Sequence, residues 1–442
     1  MHVAIIGAGP TGLFLGAALA RRGHRVTAVD RDAGPDPDGG WARRGVMQFH
    51  HAHGFRPQVG EALRAELPEA HGRWVAAGAE PITFTLDDGR TLPGGMRSRR
   101  ETFERALRAA VVGTPGLDLR RGHVDGVVLD GSRARGLRVD GVELRADLVI
   151  DASGRSGRAT RDLRAAPALS GHAGVAYVDR QYRLLPGADP GPMTNPLAWQ
   201  AEFDGYQVIV FRHEQGIFSV LIVRPTADPR LALLRHGPAF EAACRAIPGL
   251  DTWTDPERAE PITPVLVGGA LVNHYRGQAA PDGSVRPNFV AVGDAVATTT
   301  PMFGRGITTS LLQARELLRR LDDGADPADV AVGFDAWCET AMRPWVADHV
   351  RMDAAMLDRW AGHDIDLDQR LPSDLVMAAA AVEPAIRPAL PPYLAMLAGP
   401  ECLDAVEPLA AAVYRGGWRP PRDEGPSRDE LVAVLRGAPV PA

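Results

Sequence analysis

Gly7, Gly9 and Gly12 of the segment GAGPTG, with Asp30 beyond them, are the first residues whose types and spacing suit a chemical task. Glycines at that spacing let a backbone approach a pyrophosphate, and the first amides of a following helix meet its negative charge. An acid at the end of the next strand is where a dinucleotide's ribose is held. Far downstream lies a second glycine-rich segment, GDAVATTTPMFGRG, from Gly293 to Gly306. It follows the apolar run NFVAVGD and opens a helix, the pattern of a backbone that cradles a flavin. Reduced flavin is anionic near N1, and a helix N-terminus aimed there stabilises it. Gly304 and Gly306 allow the backbone to lie against the ring, and Pro301 stiffens the approach. Together the two segments predict FAD as cofactor.

The elements that must position these residues follow from periodicity. Residues 2–6 read as a buried strand, 13–22 as a helix rich in Leu and Ala that stops at Gly23, and 25–30 as a second strand ending in Asp30. Residues 148–151 form another apolar strand, which ends in the small-residue turn DASG. From residue 171 to 276 the text becomes β-rich, and two apolar runs flank residues 213–216 as a hairpin. Tyr206, Val208, Val210, Phe218, Val220 and Ile222 alternate along these runs, so their shared face is expected to line an apolar substrate pocket, with plain sheet core as the alternative. Residues 307–321 read as a long amphipathic helix. The stretch WRPPRDEGPSRDE reads as a solvated linker before a last short helix.

The expected fold class is therefore α/β: a Rossmann-type FAD-binding domain, an inserted antiparallel β-sheet substrate domain and a helical C-terminal region. The FAD-binding domain is expected over residues 1–165, of which 80–95 contribute to the substrate side, and again over 281–330. The β-rich insert takes 166–280 and the helical region 331–442.

The composition excludes several classes. With 442 residues and 45% hydrophobic content the chain can bury a deep pocket. A net charge of -6 argues against a nucleic-acid partner, which needs a basic surface. Cys244, Cys338 and Cys402 are scattered without disulfide or metal spacing, and the chain enters a strand at once, so a cytoplasmic protein is expected. The apolar stretch 376–399 is broken by Glu383, Arg387 and several prolines, so no transmembrane segment is expected. All 49 basic residues are arginine, so any mechanism that uses a side-chain amine is excluded.

These motifs resemble those of FAD-dependent monooxygenases with the p-hydroxybenzoate hydroxylase fold, near the squalene and polyether epoxidase and halogenase branches. The resemblance rests on GAGPTG with Asp30, Arg100 in RRETFERALR, Val124 in LRRGHVDGVV, ADLVIDASGR and GDAVATTTPMFGRG. It implies that Gly7, Gly9, Gly12 and Asp30 hold the AMP half of FAD, that Arg31, Arg44 and Arg100 contact the cofactor, and that Val124 pairs with adenine. Asp294 would bond the ribityl chain or diphosphate, and the backbone of Gly304, Gly306 and Ile307 would face the flavin N1 and C2 carbonyl. The segment RRGVMQFHHAHGF resembles a stretch of polyether epoxidases and makes Gln48, Phe49 and His50 flavin-side candidates beside Pro301 and Gly304. His50, His51 and His53 have no acid or cysteine ligand near them in sequence, so no metal is expected.

Two departures shape the expected activity. Aromatic hydroxylases of this group usually carry histidine where this chain has Ala297, and glutamine where it has Arg305. The halogenase branch uses a lysine and a WxWxIP segment, and this chain has neither. The resemblance thus implies a monooxygenase of secondary metabolism that hydroxylates or epoxidises a hydrophobic small molecule through a flavin C4a-hydroperoxide. NADPH or NADH would be the transient reductant, directly or through a flavin reductase. The alternatives are a flavin-dependent reductase or dehydrogenase of a prenyl-like substrate, which shares DASG, and less so a halogenase or a non-catalytic flavoprotein.

Overall fold

The structure, a computed structural model, describes residues 1–43, 45–85 and 89–439. The chain begins with β1 (His2–Ile6), α1 (Pro10–Arg21) and β2 (Arg25–Asp30), followed by α2 (Arg100–Val111), β3 (Leu117–Arg121) and β4 (Leu148–Asp151). The next strands are β5 (Val175–Leu184), β6 (Ala198–Phe203), β7 (Tyr206–Arg212) and β8 (Ile217–Pro225). Among the helices after β9 (Phe289–Ala291) are α3 (Gly306–Asp322), α4 (Arg343–Trp360) and, near the end, α5 (Arg428–Gly437).

Five strands form a parallel sheet in the order β9-β4-β1-β2-β3. Its central strands read as continuous apolar runs because helices cover them; β1 and β4 are buried along their whole length. Leu13, Leu15 and Leu19 of α1 and Leu311, Leu317 and Leu318 of α3 share one core with Val3, Ile5 and Ile150 of the sheet. Both helices therefore start at the carboxyl ends of the strands, where ligands of open α/β sheets lie.

The second layer is antiparallel, in the order β6-β7-β8-β5. Val208 pairs with Ile222, Val210 with Val220, and Val178 with Ile222, so these residues share one face. That face packs on Leu231, Phe240, Trp253 and three residues of α5, Leu431, Val432 and Leu435. The opposite face presents Tyr177, Ile209, Leu221 and Val223, which pack with Met47, Met302, Met356 and Trp360. The helical C-terminal region has its own core of Trp345, Leu375, Ile386, Tyr393 and Tyr414. Among the described residues no helix is long and apolar enough to cross a membrane.

Candidate functional site

One long cavity of about 320 Å³ runs from the carboxyl ends of the parallel strands to the antiparallel sheet. At its nucleotide end the glycines divide the work. A Cβ at Gly7, whose φ is +95°, would stand 2.7 Å from the Ala152 carbonyl oxygen, and one at Gly12 would stand 1.9 Å from the Gly7 carbonyl oxygen. Gly12 therefore serves the tight strand-to-helix turn and does not line the cavity, a correction to its expected ligand contact. Gly7 and Gly9 do line it. Helix α1 starts at Gly9 with no side-chain cap and no acid in its first turn, which leaves its first amides for an anion. Asp30 also lines the cavity; its Oδ2 accepts the Ala8 N–H at 2.7 Å and its Oδ1 the Asp32 N–H at 2.9 Å.

Around the middle stand Arg31, Arg43, Arg100, Val124 and Asp294. Arg100 donates to Glu104 at 2.6 Å and to Gln48 at 3.1 Å, and Arg43 meets the other Glu104 oxygen at 2.7 Å. Glu104 is buried, so one carboxylate on α2 aims two guanidiniums at the cavity. Arg100 stands where its motif implies, and Arg43, which no motif marks, joins it; Arg44 lies outside the described residues. Burial raises the Asp294 carboxyl above its ordinary range, while Arg100 and Arg155 pull it back.

At the far end Pro301, Met302, Gly304, Gly306 and Ile307 line the wall. Gly304 has φ +61°, and a Cβ there would crowd the Gly54 carbonyl oxygen at 3.2 Å. A Cβ at Gly306 would meet nothing within 4 Å, so its absence leaves room on the cavity side. Helix α3, like α1, has no side-chain cap hydrogen bond and no acid in its first turn. Two uncapped helix N-termini thus open into one cavity. The hydroxyls of Ser153 and Thr299, also on its wall, are buried with no hydrogen-bond partner. Two anion-seeking ends, a strand-end acid and unsatisfied polar groups are what FAD requires, and the residues fit that cofactor.

The loop 47–54 separates this end from the antiparallel sheet. Asp179, fully buried in β5, accepts the Ala52 N–H at 2.6 Å, and Gln181 donates to the His50 carbonyl oxygen at 2.6 Å. Gln48 and His53 line the cavity, whereas Phe49 and His50 do not. The Phe49 ring packs edge-on against Trp41 at 5.0 Å, and His50 turns outward to Glu101 at 3.3 Å, because the two sheet residues clamp the loop between them. Burial keeps the His53 imidazole well below its usual pKa, helped by Arg100 and His213, so it is neutral at pH 7. His51 and His53 line the cavity while His50 turns to Glu101, and among the described residues no group of three His, Cys, Asp or Glu is placed to hold a metal.

The expected substrate face is corrected by one residue of register. Tyr206, Val208, Val210, Phe218, Val220 and Ile222 are all buried in the core against α5 and line no part of the cavity. Tyr177, Asp179, Phe211 and Leu221, on the other face, do line it. Side chains alternate along a strand, so choosing the wrong parity inverts the whole set. The misleading signal was apolarity; the usable one was Asp179, an acid in the middle of an apolar strand. The hairpin Glu80–Thr85 with Thr91–Arg97, within the segment expected on the substrate side, contributes no described residue to the cavity.

The architecture is the fold of flavoproteins of the p-hydroxybenzoate hydroxylase type. The family model of the FAD binding domain matches residues 1–72. The particular likenesses lie within that class. The flavin-dependent brominase Bmp2 superimposes with a TM-score of 0.61 at 17% identity, covering 94% of this chain and 98% of its own. PqsL of Pseudomonas aeruginosa, a probable FAD-dependent monooxygenase, superimposes with a TM-score of 0.58 at 18% identity, covering 82% of this chain and 99% of its own. In sequence, Protein Rv3254 of Mycobacterium tuberculosis is 25% identical over 406 residues, which cover 81% of this chain and 83% of that protein.

Proposed function

We propose that the protein is an FAD-dependent monooxygenase that hydroxylates or epoxidises a hydrophobic small molecule in secondary metabolism. One observation carries the reading: the cavity that joins the two uncapped helix N-termini continues to an apolar wall of Met47, Tyr177, Phe211, Leu221 and Met302. The balanced reaction consumes dioxygen, NADPH or NADH, a proton and substrate, and yields oxygenated substrate, oxidised nicotinamide and water. Bound and reduced, FAD supplies the activation of dioxygen. The chain supplies the rest. Gly9 and the first turn of α1 hold the diphosphate, Asp30 the ribose, and the Gly304–Ile307 backbone the flavin edge. The Met47–Met302 wall excludes water and orients the substrate.

A second reading is halogenation, which is supported by brominase and halogenase neighbours at 17–18% identity. Against it stands the absence of any lysine. A reductase acting on a prenyl-like chain shares the cavity but needs no dioxygen. Turnover of a cell extract by the reduced holoprotein under argon, compared with air, separates these readings. The monooxygenase reading predicts product in air alone; product formed equally under argon supports the reductase, and product that appears only with added bromide or chloride supports the halogenase.

A further inference from the structure

Arg305 lies between two cavity-lining glycines, yet its own side chain is fully buried and lines no part of the cavity. Its guanidinium carbon sits 4.3 Å from the Trp345 ring centre, 4.7 Å from Tyr393 and 4.9 Å from Phe303. It donates to Asp348 at 3.0 Å; Asp348 also accepts the Tyr393 hydroxyl at 2.7 Å and the Ser373 hydroxyl. Trp345 and Asp348 lie on α4, and Ser373 and Tyr393 follow it, so this box belongs to the C-terminal region. The same turn is tied twice more. Arg56 donates to the Phe303 carbonyl oxygen at 2.6 Å, and Asn273 accepts the Thr300 N–H at 2.7 Å.

Charges of both signs meet at this turn. Arg56 and Arg305 bring two guanidiniums; Asp348 brings one carboxylate and Asp353, bonded to Thr300, brings a second that ionises above about pH 6, while burial together with the two arginines keeps His349 neutral. The Arg305 Nε and one terminal nitrogen have no hydrogen-bond partner. For stability alone, an apolar side chain of similar volume would fill such a site at least as well as a buried ion pair. Arg305 is the N-cap residue of α3, so its guanidinium adds positive charge beside the first turn, where an anionic reduced flavin would be favoured.

We propose that Arg305 is a positioning residue for the flavin end of the cavity: it fastens the Gly304–Gly306 turn to the C-terminal region and holds a buried guanidinium beside it. The inference rests on the reading that this turn faces the flavin. It makes the C-terminal region part of the cofactor site.

The test uses full-length protein carrying Arg305→Met or Tyr393→Phe, with three readouts: the FAD dissociation constant, the midpoint potential of the bound flavin, and hydrogen exchange of the first-turn amides of α3. Arg305→Met is expected to weaken FAD binding about tenfold or more, lower the potential and speed exchange. Tyr393→Phe keeps the charge and the ring, so it should speed exchange and weaken FAD by a smaller factor while leaving the potential near that of the wild type. A lower melting temperature with all three readouts unchanged would overturn the proposal. If Arg305→Met does not fold, unchanged affinity and exchange in Tyr393→Phe would overturn it equally. Failure of the unsubstituted protein to bind FAD would instead sink the underlying flavin reading.

Discussion

Asp353 couples the turn before α3 to pH. Its carboxylate accepts from Asn273 at 2.7 Å and from Thr300 at 3.1 Å, and burial raises its pKa to about 6, with these two hydrogen bonds opposing the shift. Because the folded value lies above the unfolded one, the protonated form favours folding. That contribution is complete below about pH 4 and is lost as pH rises through 6, at a cost approaching about 3 kcal/mol. Asp353→Asn should therefore flatten the stability profile, and urea unfolding at pH 5 and pH 8 checks it; a parallel decline in both proteins would assign the pH dependence elsewhere. Asp30 makes a different prediction. Its carboxylate tethers the Ala8 amide and faces the cavity, so Asp30→Ala should weaken FAD by about tenfold or more and yield nearly colourless protein. Full occupancy on purification would remove Asp30 from the cofactor site.

The elements differ in how openly the sequence shows their role. The strand-turn-helix units at residues 1–30 and 289–322 work through backbone placement within a short span, so glycine spacing and a strand-end acid reveal them locally. The antiparallel sheet does not work that way. Both of its faces are apolar, and which face meets the cavity is decided by what covers the Val208–Val220 face: Leu231, Phe240 and Trp253, and α5 from about two hundred residues away in sequence. Arg43 escaped notice for a similar reason, since it is aimed by Glu104 on a different element. Register gives a paired prediction. Val220→Ala should lower unfolding free energy by about 1–3 kcal/mol and leave the bound flavin's absorption response to an apolar probe such as indole unchanged. Leu221→Ala should alter that response. The reverse pattern would restore the original face assignment.

At the scale of the whole molecule, the C-terminal residues close two cores rather than trail from the fold. Leu431, Val432 and Leu435 cap the antiparallel sheet, and Trp345, Asp348 and Tyr393 enclose Arg305. Truncation before Ser427 should expose that apolar sheet face and cost about 5 kcal/mol or more, seen as aggregation or a collapsed thermal transition; a truncated chain of unchanged stability would show α5 to be dispensable. The two sheets, the helices at the strand ends and the cavity between them form one arrangement, which in the proposed reading holds FAD at one end and an apolar substrate at the other. Incubation of the holoprotein with NADPH, a flavin reductase, an apolar cell extract and ¹⁸O₂, followed by mass spectrometry, tests that account most directly. It predicts a product that carries one labelled oxygen atom, and a product formed without label would contradict it.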